Sequence, residues 1–204
     1  MDKSKINKAR YCLYSLLLPI HDRKVALQEF VDLSCCWDKD ETDEIEQFQK
    51  EYLKIKDTRN YVFWYTKNSF FFHIINQSLR RLTQSPDILY IRQPFQDIFF
   101  EVIRQYVEQK NLDFRNKEQF SCYRACKISK DEYDDFSTNI GGFVQMEGFL
   151  SSSLEQDVGL RYFFEKKPEQ KSKNTLVEIV VKRENLGGDL DWGFASIKEN
   201  SYYS

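Results

Sequence analysis

The sequence predicts an α+β fold in which helices come first and short strands with connecting helices follow. Up to residue 111, apolar residues recur at three- or four-residue steps, which is the spacing of amphipathic helices. From Phe120 to Ile128 two sets of residues alternate at every second position, which indicates a strand. No glycine-rich phosphate loop follows a strand, so the pattern excludes a Rossmann or P-loop domain.

The N-terminal half contains three segments with a clear apolar stripe at helical spacing. Thr42 is a good cap residue for the first of them, and Pro94 breaks or restarts a helix just before the third. We expect the three stripes to pack into a helical core. In chain order they are Ile45, Phe48, Tyr52 and Ile55; Phe71, Ile74, Ile75, Ser78, Leu79 and Leu82; and Phe95, Ile98, Phe99, Val102, Ile103 and Tyr106.

The second half predicts strands joined by short helices. Ser129–Glu132 has the capping-box pattern that opens a helix, and Phe143–Leu150 is a second strand candidate. Ser153–Gln156 resembles another capping box, which predicts a further helix start. The β-branched run Leu176–Val181 predicts an internal strand.

Charge and composition argue against several functional classes. The net charge of −2 gives no basic field, so we expect no nucleic-acid partner. No apolar run reaches the length of a membrane span, and Leu13–Leu18 predicts a core helix rather than a signal peptide. Two histidines and the lack of any Cys-x-x-Cys spacing argue against a metal site.

The five cysteines bear on the compartment. Their number is odd, and two of them, Cys35 and Cys36, are adjacent. We expect buried free thiols in a reducing environment, which favours the cytoplasm.

Arg124 and the serine triplet Ser151–Ser153 are the residues hardest to explain by packing alone. Arg124 shares its strand face with Cys122 and Cys126, where a guanidinium is costly to bury unless an anion meets it. An arginine on an edge strand that reaches solvent or pairs with an acid fits the same pattern. The alternation of strand faces alone therefore does not distinguish a functional Arg124 from a structural one. A serine hydrolase is disfavoured because no Gly-x-Ser-x-Gly elbow surrounds Ser151.

Four sets of short motifs follow one another along the chain between residues 64 and 203. They are Trp64–Phe70 with Asn76–Arg80, Tyr123–Arg124, Asn139–Gly141 with Phe149–Ser153, and Ala195–Ile197 with Ser201–Tyr203. In this order they resemble the motifs of the arginine-specific mono-ADP-ribosyltransferases, a family with an Arg–Ser–Glu triad. The resemblance covers residues 60–204. Each motif is short, and their shared order makes the resemblance specific.

This resemblance implies an ADP-ribosyltransferase-like fold, with N-terminal helices followed by two small, roughly perpendicular β-sheets around an NAD cleft. It implies a helical N-terminal extension over residues 1–60 and a transferase-like domain over residues 61–204. The implied substrate is NAD, without a metal, and the choice between NAD and NADP stays open. The implied reaction transfers ADP-ribose to an exposed arginine of an acceptor protein and releases nicotinamide.

The resemblance also implies roles for single residues. Arg124 and Ser151 are the expected catalytic residues: Arg124 grips the phosphate and ribose side of NAD, and Ser151 bonds the nicotinamide ribose and orients the catalytic glutamate. The main chain of Ala125 is expected to hold the carboxamide. Ser152 and Ser153 are also expected among the cofactor-binding residues, where they support the strand end. Ala125 stands where the family usually has glycine, and its methyl group crowds that contact.

The family's catalytic Glu-x-Glu motif is expected a few residues beyond Ser204. Glu199 precedes the serine of the terminal loop, so we do not assign it the catalytic role. We therefore expect the transferase-like domain to lack its Glu-x-Glu portion and the 204 residues by themselves to transfer negligible ADP-ribose. The alternative is a non-catalytic module that binds NAD or a protein. A Glu-x-Glu encoded after Ser204 favours the enzyme, and a stop codon there favours the module.

Overall fold

Seven α-helices, one 3-10 helix and two strands make up the described part of the chain, which confirms the predicted α+β class. The computed structural model describes residues 16–37, 42–52, 59–67, 69–80, 86–109, 117–142, 148–165, 172–182 and 195–196. The elements are α1 Arg23–Trp37, α2 Thr42–Tyr52, α3 Arg59–Thr66, α4 Phe70–Arg80, the 3-10 helix Pro86–Leu89, α5 Arg92–Glu108, β1 Gln119–Ser129, α6 Lys130–Thr138, α7 Gln156–Glu165 and β2 Ser172–Lys182.

The chain divides into two units. The helical unit comprises Met1–Lys110 and Phe194–Ser204, and the sheet unit comprises Asn111–Gly193. Helices on both sides of residue 60 belong to the helical unit. The expected division of the family domain at residue 60 stays a prediction.

Aromatic rings form the centre of the helical unit. Phe48 of α2 lies 5.8 Å from Phe30 of α1, 5.1 Å from Trp64 of α3 and 5.0 Å from Phe71 of α4, measured between ring centroids. Phe30, Phe48 and Phe71 are fully buried, and each contributes about 1.5–3 kcal/mol by leaving water. The predicted apolar stripes of α2 and α4 are therefore confirmed within the described residues; Ile55 and Leu82 lie outside them.

The buried face of α5 differs from the predicted apolar stripe. Phe95 and Ile98 are buried, but the other four residues of that stripe are only half-buried. Four polar residues at successive four-residue steps are buried instead, namely Gln93, Asp97, Glu101 and Gln105. Polar side chains are tolerated in such a position only when hydrogen bonds satisfy them, so these four residues need partners on α5 itself or on other helices.

The sheet unit is organised around one antiparallel pair. β1 and β2 are in register from Gln119 opposite Lys182 to Ser129 opposite Ser172. The predicted strand Phe120–Ile128 is thus confirmed, and Leu176–Val181 lies inside β2. In the described residues β2 pairs with β1 alone, so its predicted internal position is not seen there.

The capping box predicted at the end of β1 is confirmed. The Ser129 hydroxyl accepts from the Glu132 backbone N–H at 3.1 Å, and a Glu132 carboxylate oxygen accepts from the Ser129 backbone N–H at 2.7 Å. α6 therefore starts directly after β1 and ends at Thr138, with Asn139 as its C-cap and Gly141, which has a left-handed φ of 79°, two residues further on.

One other strand prediction needs correction, and most of the rest of the predicted strand sequence is not described. Gly148–Leu150 was expected to be strand, but its backbone is bent and irregular, since Gly148 has a φ of 90° that interrupts an extended chain. Residues 143–147 and most of the further strand-like sequence at 189–197 lie outside the described residues. The second sheet implied by the family resemblance is therefore not established.

α7 packs on one face of the two-stranded sheet, and Gly159 lies at the contact. A Cβ built at Gly159 meets Leu176 Cδ1 at 3.4 Å and Tyr123 Cβ at 3.6 Å, which is ordinary van der Waals contact. The site has room for a methyl group but not for a long or branched side chain.

This geometry predicts opposite effects for two substitutions at Gly159. Gly159→Ala is expected to be neutral or to raise the free energy of unfolding by up to about 1 kcal/mol, because alanine favours helix. Gly159→Leu is expected to lower it by about 1–3 kcal/mol, because the side chain pushes α7 off the sheet. Urea unfolding of both variants measures the difference. Equal stabilities for alanine and leucine at this position would contradict the close contact.

The expectation that the cysteines are buried is wrong for two of them. Cys122 is buried and Cys126 is half-buried, but Cys35 and Cys36 are exposed at the end of α1. The thiols of Cys35, Cys36 and Cys122 are free, and Cys12 lies outside the described residues. Across the described ranges, none of the helices has both the length and the apolar content needed to cross a membrane.

Candidate functional site

The main chain of β1 is joined to the segment that carries the serine triplet. The N–H of Tyr123 donates to the Ser153 carbonyl at 2.7 Å, and the N–H of Ser153 donates to the Tyr123 carbonyl at 2.8 Å. These two bonds form an isolated antiparallel bridge. Ser151–Ser153, called the serine segment below, therefore lies along the edge of β1 opposite to β2.

Arg124 makes a second connection to this segment. Its guanidinium Nη1 donates to the carbonyl oxygen of Ser151 at 2.7 Å, and both residues are half-buried. None of the ion pairs between described residues involves Arg124, so pairing with an acid is not seen there. A guanidinium has five N–H donors, and the bond to Ser151 uses only one of them.

The backbone of Ala125 faces the gap between β1 and the serine segment. N–H and C=O groups alternate sides along a strand, so those of Ala125 point to the same edge as those of Tyr123. Two residues on from the Tyr123–Ser153 bridge, Ser151 would stand opposite Ala125, but the pairing stops at a single bridge. The Ser151 carbonyl is turned to the Arg124 side chain instead.

The remaining two serines differ in their surroundings. Ser152 is exposed. The Ser153 hydroxyl accepts from the backbone N–H of Glu155 at 3.0 Å, one residue before α7 begins. The helix start predicted from Ser153 and Gln156 is correct in position, but the hydroxyl binds two residues on rather than three, so it forms a turn and not a capping box.

All five predicted site residues thus lie at one place in the sheet unit. The Arg124 guanidinium and the main chain of Ala125 lie next to the Ser151 residue, and the neighbouring Ser152 is exposed. Such a set can hold an anion at the guanidinium and a planar amide at the main chain. The expected loop after Ala195, with Glu199 and Ser201, lies outside the described residues except for residues 195–196.

The sequence analysis missed a buried polar cluster in the helical unit. Arg23 Nη2 donates to both carboxylate oxygens of Asp97, at 2.9 and 3.0 Å. Gln93 Nε2 donates to Asp97 Oδ2 at 2.7 Å, and the Tyr52 hydroxyl donates to the same oxygen. Burial, followed by the Asp97 carboxylate, raises the pKa of Tyr52 well above its ordinary value of 10.0, so its phenol stays protonated as a donor.

One sequence signal could have revealed this cluster. Four polar residues of α5 recur at every fourth position, and that spacing places them on one face of a helix. Further along the same face, the buried carboxylate of Glu101 accepts from Arg104 at 2.6 Å and from Gln105 at 2.9 Å. Both carboxylates have donors within their own unit, which is typical of a structural network.

Metal binding has no visible basis in the described part of the chain, where no three His, Cys, Asp or Glu side chains gather. No protein-family model, characterised protein or solved structure matches the chain. Function is therefore inferred from the geometry around Arg124 and from the resemblance of the motifs.

Proposed function

We propose that the sheet unit binds NAD between β1 and the serine segment, as part of an ADP-ribosyltransferase that modifies arginine on an acceptor protein. The observation that carries this proposal is the 2.7 Å bond from Arg124 to the Ser151 carbonyl. It joins, across 27 residues of sequence, the two members of the Arg–Ser–Glu pattern that the resemblance identifies.

The charge of Arg124 supports a dinucleotide as the ligand. A half-buried guanidinium without an acidic partner among the described residues favours an anion, and the two phosphates of NAD provide one. A planar guanidinium can keep one donor on the Ser151 carbonyl while others meet phosphate oxygens. Arg124 would then organise the site and contact the ligand at the same time.

The open main chain at Ala125 supports the orientation of the ligand. Its N–H and C=O point into the gap, and a carboxamide has the complementary acceptor and donor groups. Nicotinamide carries such a carboxamide. The methyl group of Ala125 projects from the sheet face and not from this edge, so it leaves the main-chain contact accessible.

The chemistry of transfer assigns the remaining roles. Cleavage of the bond between nicotinamide and ribose develops positive charge on the ribose, which a nearby carboxylate stabilises. The resemblance assigns that carboxylate to a Glu-x-Glu motif, and the Ser151 hydroxyl is the group in this chain that would orient it. A second carboxylate would accept the proton of the attacking arginine.

NAD titration of residues 1–204 tests the binding part of this proposal without requiring turnover. Calorimetry is expected to show saturable binding of NAD and of ADP-ribose, and weakening of both with added salt, because phosphate contacts are screened. Adenosine, which has no phosphate, is the control and is expected to bind much more weakly. Equal affinities for adenosine and NAD, or no saturable heat with NAD, would refute the proposed site.

A further inference from the structure

Ser153 makes contacts with two elements of the sheet unit at once. Its main chain forms both hydrogen bonds of the bridge to Tyr123 in β1, at 2.7 and 2.8 Å. Its hydroxyl accepts from the Glu155 N–H at 3.0 Å and closes the turn that leads into α7. The hydroxyl is thus engaged with the protein itself, on the side of α7.

Tyr123 is in turn held from two directions. Ser153 pairs with its main chain, and Gly159 of α7 approaches it so closely that an added Cβ would lie 3.7 Å from the Tyr123 carbonyl oxygen. The turn closed by the Ser153 hydroxyl connects these two contacts. The turn is therefore built on the same residue that anchors the serine segment on β1.

We propose that Ser153 is a positioning residue, which fixes Ser151 beside Arg124 through the turn into α7, and is not a ligand of NAD. This inference rests on the proposed function, because it concerns the same gap. Two residues separate Ser153 from Ser151, so the turn sets where the Ser151 carbonyl lies and whether Arg124 can reach it. Loss of the turn bond would loosen the serine segment, while the main-chain bridge and the Arg124 side chain remain.

Substitution by alanine and by asparagine separates positioning from direct binding. Ser153→Ala removes the turn bond, whereas Ser153→Asn restores an acceptor for the Glu155 N–H through an Asx turn and adds no charge. We expect Ser153→Ala to weaken NAD binding roughly fivefold, the factor that corresponds to the loss of one helix-start bond, and Ser153→Asn to restore it. Ser137→Ala is the control, because the exposed Ser137 hydroxyl on α6 also makes a local hydrogen bond to the backbone, donating to the Tyr133 carbonyl at 2.8 Å.

The outcomes distinguish this inference from the proposed function. Unchanged NAD affinity in Ser153→Ala, or affinity in Ser153→Asn as low as in Ser153→Ala, would overturn the positioning role. Amide hydrogen exchange provides a readout that needs no ligand: Ser153→Ala is expected to speed exchange at the Tyr123 and Ser153 amides, and Ser153→Asn is not. If the unmodified chain binds no NAD but this exchange pattern holds, the proposed function fails and the positional role of Ser153 stands.

Discussion

Arg124→Ala is expected to weaken NAD binding by roughly 100-fold, since it removes charge-assisted hydrogen bonds to the ligand worth about 1.5–3 kcal/mol each. The substitution also removes the Nη1 bond to the Ser151 carbonyl, so the serine segment loses a contact at the same time. Arg124→Lys keeps the charge but cannot hold a carbonyl and a phosphate with one planar fork, so its loss is expected to be roughly tenfold. Calorimetric titration with NAD measures both losses.

Two variants of the same unit control for unspecific effects. Arg161→Ala removes an exposed arginine from α7 and is expected to leave NAD affinity unchanged. Ser152→Ala removes an exposed hydroxyl and is expected to weaken binding less than Arg124→Ala does. Equal losses for Ser152→Ala and Arg124→Ala would contradict the phosphate-gripping role of Arg124.

Asp97→Ala is expected to lower the free energy of unfolding by about 2–4 kcal/mol, because it leaves buried donors without an acceptor. The Asp97 side chain is 7% exposed and accepts from Arg23, Gln93 and Tyr52. The Arg23 side chain is 59% exposed, so water can replace its partner, and most of the cost arises at Tyr52 and Gln93. Urea unfolding with an unchanged m-value would measure this loss.

A surface ion pair of the same unit provides the control. Glu46 pairs with Lys50 at 3.3 Å, and their side chains are 61% and 71% exposed. Glu46→Ala is expected to change stability by less than about 0.5 kcal/mol, because solvent screens such pairs. Tyr52→Phe keeps the ring and removes only the hydroxyl, so its cost should lie between the two. An Asp97→Ala protein as stable as Glu46→Ala would mean that the cluster does not hold α1 to α5.

Local patterns in the sequence were sufficient for much of the fold. The apolar stripes of α2 and α4, the alternation in β1 and the capping box at Ser129 each depend on residues within one helix or strand. Backbone geometry converts such spacings directly into a buried face or a satisfied N–H. Where a glycine adopts a left-handed conformation, as at Gly148, the same patterns predicted strand and were wrong.

The candidate site was predicted only as a set of residues. The alternation of strand faces marked Arg124 as unusual but did not distinguish a functional from a structural role. The alternation says nothing about which group the guanidinium contacts. The resemblance of the motifs supplied Ser151 as its companion, and the proposed binding of NAD still depends on that resemblance. Ser153 was predicted to support the strand end and to start the following helix, but the pattern could not show that its hydroxyl accepts from the Glu155 N–H.

The sequence by itself determined the α+β class, the apolar faces of α2 and α4 and the strand that carries Arg124, because each follows from the period of neighbouring residues. Only the tertiary structure decided that Arg124 bonds to Ser151, 27 residues away, and that Arg23 neutralises Asp97, 74 residues away. The physical reason is the same in both cases. A buried or half-buried charge selects its partner by position in space, and that position depends on the packing of whole elements and not on any local spacing.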